Sequence, residues 1–156
     1  MTNRGHSPKC VPIEDEENVA RIIYSPSYIE NGKVAPTAFR WEHMPSGKAE
    51  DYISVLRNNE KYDLEEQSKC MRARNPSDTR YGYALLKAGD IRQLNNKTEQ
   101  KILLEPKPSK KHKNHAGIYV YLNDEKVTAD TRSTPELMFI QKLLAELCTD
   151  IIKFEE

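Results

Sequence analysis

Cysteine is the first scarcity. Cys10, Cys70 and Cys148 are the only three, they lie far apart in 156 residues, and neither a CxxC pair nor a disulfide framework can be assembled from them. Cys148 falls in an apolar helical pattern and reads as a small core residue. Cys70, in KCMRAR, has basic neighbours but no histidine partner in the sequence, and reads as structural. Long apolar runs are missing too: nothing approaches the roughly 20 residues of a membrane span. The start, MTNRGHSPKC, lacks the apolar segment of a secretory signal. These absences predict a cytoplasmic chain with no membrane partner. An excess of one charge is also absent, since 24 basic residues face 24 acidic ones. That argues against bulk phosphate-backbone binding and leaves room for local patches alone.

Catalytic signatures are equally scarce. The chain has no GxSxG elbow, no phosphate-cradling GxxxxGK[ST] loop and no GxGxxG fingerprint. Its histidines are His6, His43, His112 and His115. None has the cysteine or acid partners that a zinc site needs, so no metal is expected.

What is present describes a polar domain. Hydrophobic residues make up 37% and charged residues 31%, which suggests a thin core with long loops rather than disorder. Residues 1–18 turn acidic at Glu14–Glu17 and read as a flexible leader, with Val11 and Ile13 touching the domain. Residues 19–156 read as one domain. The β-branched run Val19–Tyr24 is the first strand, ended by Ser25-Pro26-Ser27, and Asn31-Gly32 is a strong turn signal. Phe39 and Trp41 are candidate anchors. Tyr52–Leu56, Tyr81–Lys87, Ile102–Leu104 and His115–Leu122 read as further strands. Asp63 with Glu66 forms a capping box that predicts a helix from Leu64 to Arg74. Ser133-Thr134-Pro135-Glu136 opens the clearest helix, with Leu137, Ile140, Leu144, Leu147 and Ile151 on one face. The fold class that follows is α+β: a compact, mostly antiparallel sheet with a long C-terminal amphipathic helix.

Two constellations carry the functional argument. Arg21, Ser54 and His115 are polar residues within or at the edge of predicted strands. A guanidinium forks onto phosphate or carboxylate, a serine adds a hydroxyl, and a histidine carries a proton. The structural alternative pairs Arg21 with a surface acid and Ser54 with backbone, and leaves His115 merely starting a strand. The second is the loop from Lys107 to His115, where Lys110, Lys111 and Lys113 are candidate contacts to phosphate, including that of a nucleic acid.

Arg21-Ile-Ile-Tyr-Ser-Pro-Ser-Tyr, Asn31-Gly32-Lys33-Val34, Ala38-Phe39-Arg40, Ile53-Ser54-Val55 and His115-Ala116-Gly117-Ile118 together resemble a family of small uncharacterised bacterial proteins. The resemblance covers most of residues 19 to 122 and implies one domain, in a toxin–antitoxin or phage-defence setting. A more distant, fold-level similarity is to ADP-ribosyltransferase-like domains. It implies NAD held by Arg21 and Ser54, with Glu99 or Glu105 as the acid and turnover abolished by Arg21→Ala without unfolding. The leading expectation is an anion- or nucleotide-binding cleft around Arg21, Ser54 and His115. An NAD-consuming enzyme and a protein-interaction module acting through the last helix or the leader are the alternatives.

Overall fold

The computed structural model describes residues 11–73 and 75–155. Strand β1 (Asn18–Ser25) is buried at every interior position, because it runs through the middle of the sheet with protein against both faces. On one side it pairs with β5 (Thr79–Lys87) along its length, with a register shift between Ile23 and Tyr24. On the other it meets β4 (Ile53–Arg57) at only two pairs, Val19 with Arg57 and Ala20 with Leu56. Past those pairs β1 and β4 part, and the opening between them becomes the cleft described below.

The remaining strands extend the sheet outward. β2 (Ile29–Glu30) and β3 (Lys33–Val34) form a separate hairpin around Asn31 and Gly32, both at positive φ, the geometry a tight Asn-Gly turn demands. β7 (His115–Leu122) pairs with β4, β6 (Lys101–Pro106) flanks β7, and β8 (Glu125–Lys126) folds back on β7 through the Asn123-Asp124 turn. β9 (Ile152–Lys153) closes the far side on β5. The order is β6-β7-β4-β1-β5-β9, antiparallel throughout.

Alternation along these strands divides the faces. Ile53, Val55, Ile102, Leu104, Ile118, Val120, Ala84 and Leu86 are buried on one face. Ser54, Leu56, His115, Gly117 and Tyr119 lie on the other. The core joins the first set to Ile91 of α2 (Ala88–Gln93) and to Leu137, Ile140 and Leu144 of α3 (Pro135–Leu147). Phe39, on the 3-10 turn Pro36–Phe39, is fully buried, whereas Trp41 is half-buried against the same core. The β6 edge is blunted by Asn95, whose side-chain amide donates to the Ile102 carbonyl and accepts from its N–H, so a side chain supplies the pairing that another chain would otherwise offer.

Two expectations are corrected. The first helix, α1, keeps its Asp63 cap but spans only Leu64–Ser68. Gln67 and Cys70 are engaged by side chains of the 107–115 loop, and these contacts override the local helical preference. The last helix stops at Leu147, so Ile151 lies beyond it. Thr149 instead donates its N–H to the Leu85 carbonyl and accepts from the Leu85 N–H through its hydroxyl, which turns the chain onto the sheet edge as the unforeseen β9. Gly82 makes room for that strand, because a Cβ there would collide with the Ile152 carbonyl oxygen. Of the stretch read as a leader, residues 1–10 lie outside the described residues. Residues 11–17 are fastened to the domain: Ile13 is buried, Glu17 pairs with Arg57 at 2.8 Å, and Arg57 also reaches the Val11 carbonyl.

Candidate functional site

Where β1 and β4 separate, the Arg21 side chain crosses the opening. Its Nε donates to the Ala38 carbonyl at 2.7 Å and its Nη1 to the Ser54 carbonyl at 2.6 Å. The guanidinium also lies 5.6 Å from the centroid of the buried Tyr28 ring, and Tyr28 donates its hydroxyl to Glu42 at 2.7 Å. Arg21 is only 6% exposed. Among the described residues its hydrogen bonds go to backbone carbonyls rather than to the surface acid of the structural alternative. It substitutes for the ladder bond that the parted strands no longer make.

Ser54 and His115 stand diagonally across β4 and β7. The Ser54 hydroxyl lies 2.7 Å from His115 Nε2, and His115 Nδ1 lies 2.9 Å from the Lys107 carbonyl. A carbonyl only accepts, so Nδ1 carries the proton of the neutral ring and Nε2 accepts from the serine. Burial lowers the His115 pKa below the ordinary histidine value, outweighing the Lys107 carbonyl bond that raises it; the Lys107 and His112 charges add to the lowering. Gly117, opposite Ser54, leaves space for the Tyr52 ring, which meets His115 edge-on at 5.6 Å. The Tyr52 phenol is pushed up to about 12, mainly by burial and then by Glu50, so it remains a donor. Lys107 Nζ sits 4.9 Å over the same ring.

These groups face a cleft of about 880 Å³, within the range that holds nucleotide-sized ligands. The 107–112 loop contributes Lys107, Lys111 and His112 to its wall, the segment after α1 contributes Cys70 and Arg72, and the 42–50 loop contributes Glu42 and Glu50. Arg21, Ser54 and His115 therefore all line one cavity, Ser54 and His115 from the face away from the core and Arg21, the register partner of Ala84 on the core face, through the gap between β1 and β4. Of the loop lysines expected to bind a ligand, Lys111 joins them. Lys110 and Lys113 are exposed and do not line the cleft. The acids suggested for the transferase role, Glu99 and Glu105, are exposed and also lie off it; Glu42 and Glu50 are the carboxylates in place.

Several participants were not foreseen. Asn114, buried at the base of the basic loop, exchanges amide bonds with Gln67 at 2.8 and 3.0 Å and donates to the Arg57 carbonyl. Gln67 also donates to His112 Nδ1 at 3.2 Å, which leaves the His112 proton on Nε2, facing the Cys70 sulfur at 3.6 Å. Cys70 thus has the histidine neighbour that the sequence did not indicate, although His112 meets it as a donor rather than a base. Only Tyr52 had a legible signal, since it lies two residues from Ser54 and so on the same strand face.

Because His115 and His112 have lowered pKa values, the unfolded chain takes up protons first as pH falls. Stability is therefore expected to be full above the ordinary histidine value of 6.5 and to decline below it. Chemical denaturation at pH 7.5 and 5.5 checks this: His115→Asn should narrow the difference, and an unaltered difference would reject His115 as a contributor.

No family model, curated protein or solved structure matches this chain. Among the described residues, no cluster of histidine, cysteine and acidic side chains is arranged to hold a metal, and no helix is long and apolar enough to cross a membrane.

Proposed function

We propose that the protein binds a nucleotide or similar phosphate-bearing molecule in the cleft between β1 and β4. The observation that carries the reading is the gathering of Lys107, Lys111 and Arg72 in one cavity with the Ser54–His115 pair. Cations on two loops suit the several oxygens of a phosphate group, and Glu42 and Glu50 stand in the same wall, Glu42 accepting from Tyr28. Thermal melting against NAD, ATP and cyclic dinucleotides tests it. A ligand at 100 times its Kd adds about 2.7 kcal/mol, a rise of several degrees for a domain of this size. No rise with any of the panel would overturn the reading and favour a protein-interaction module, for which Met138 and Phe139 are the exposed apolar residues of α3.

A second reading, NAD consumption, draws support from Glu42 and Glu50 lining the same cavity as Arg21 and Ser54. Release of nicotinamide on incubation with NAD would separate it from simple binding.

A further inference from the structure

The Ser54–His115 pair sets a hydroxyl against an imidazole whose other nitrogen is held by a carbonyl. A hydroxyl becomes a competent nucleophile when a neutral imidazole nitrogen accepts its hydrogen bond and a third group fixes the imidazole tautomer. Here Nε2 accepts from Ser54 at 2.7 Å and the Lys107 carbonyl fixes Nδ1–H at 2.9 Å. The third requirement is positive potential where charge develops. In a strand the N–H and carbonyl of one residue point the same way. The Ser54 carbonyl points into the opening toward Arg21, so the Ser54 N–H faces that opening as well. Lys107 adds its ammonium over Tyr52, two residues from Ser54 on the same strand face.

We propose that Ser54 is the nucleophile of a phosphoryl transfer on a nucleotide phosphodiester bound in this cleft, with His115 as general base and acid. The proposal rests on the nucleotide reading and adds a reaction to it. Ser54 Oγ attacks phosphorus as its proton passes to His115 Nε2. The Oγ–P bond forms, the bond from phosphorus to the leaving oxygen on the far side breaks, and the leaving group departs as its anion. Water then attacks the nucleotidyl-serine ester from that vacated side and gives its proton to solvent. The Oγ–P bond breaks as His115 Nε2 returns its proton to Ser54 Oγ. Water is the sole co-reactant, and no oxidation state changes. The rate follows neutral His115: it rises with pH through that group's titration, below 6.5, and is level across neutrality.

The test uses the full chain with thymidine 5′-p-nitrophenyl phosphate, and thymidine 5′-phosphate as the binding control. Wild-type protein should release p-nitrophenolate, and acid-quenched samples should carry one thymidylyl group on Ser54 by peptide mass mapping. Ser54→Ala, shown folded by circular dichroism, should abolish both, and His115→Asn should slow release by about 100- to 10,000-fold. A wild-type protein stabilised by the control but giving neither release nor adduct would overturn the chemistry and leave the binding reading standing. With no stabilisation and no release, both fall. Release that persists in Ser54→Ala would remove Ser54 as the nucleophile, and the adduct on wild-type protein tests the same point without any variant.

Discussion

Arg21→Ala is expected to lower stability by about 3–5 kcal/mol. Two hydrogen bonds from a charged donor to buried carbonyls are lost together, each worth about 1.5–3 kcal/mol, and the acceptors at Ala38 and Ser54 lose their partner where β1 and β4 no longer pair. At 6% exposure little solvent reaches the site to take over. Arg21→Lys should recover only part of the loss, because one ammonium nitrogen must replace two guanidinium nitrogens that each reach a separate carbonyl. Guanidinium denaturation measures both variants. A loss under about 1 kcal/mol for alanine would show that the guanidinium is not what holds the strands at this separation. The consequence for function is direct: a binding defect in Arg21→Ala would report an altered cleft wall as readily as a lost ligand contact. Clean loss of activity in a folded Arg21→Ala protein, the outcome the transferase resemblance implies, is therefore not what this geometry predicts. Ser54→Ala removes only a hydroxyl and is the sharper probe.

The strands were legible because each carries its own pattern. Val19–Tyr24 and His115–Leu122 are β-branched or aromatic runs bounded by turn residues, and both fold with nearly those limits. The Asn31-Gly32 turn and the Asp63 cap are local chemistry and formed as read, whereas α3 is capped by Thr134, one residue after the Ser133 that the capping box indicated. Polarity within an apolar run pointed to Arg21 and Ser54, since such a residue must find a partner, and the partners proved to be one another's neighbours. The misses share a cause. The early end of α1, the β9 pairing on β5 and the Gln67–Asn114 amide exchange depend on segments distant in sequence. The parting of β1 from β4, which creates the cleft, leaves no local trace either. Residue types disclosed which groups needed partners, and only the fold disclosed which they found.

The basic loop shows the same division and gives the second large effect. In sequence its lysines are equivalent, yet Lys107 and Lys111 line the cleft while Lys110 and Lys113 do not. Asn114 and Gln67 hold the loop base against α1, so this sorting is fixed by packing rather than by loop motion. The double variant Lys107→Ala, Lys111→Ala is expected to weaken nucleotide binding about 10- to 100-fold, roughly 1.4–2.8 kcal/mol. The estimate sits below two full charge-assisted bonds because Lys111 is exposed and its field is screened. Lys110→Ala with Lys113→Ala removes the same formal charge and should change affinity less than about threefold. Calorimetric titration with the best nucleotide from the melting panel, at low and high salt, compares the pairs. Equal losses from both would mean that the loop acts only through its summed charge, as a nonspecific phosphate attractor does. Unequal losses, with the larger salt dependence retained by the Lys110/Lys113 variant, would mean that the phosphate sits in the cleft beside Ser54.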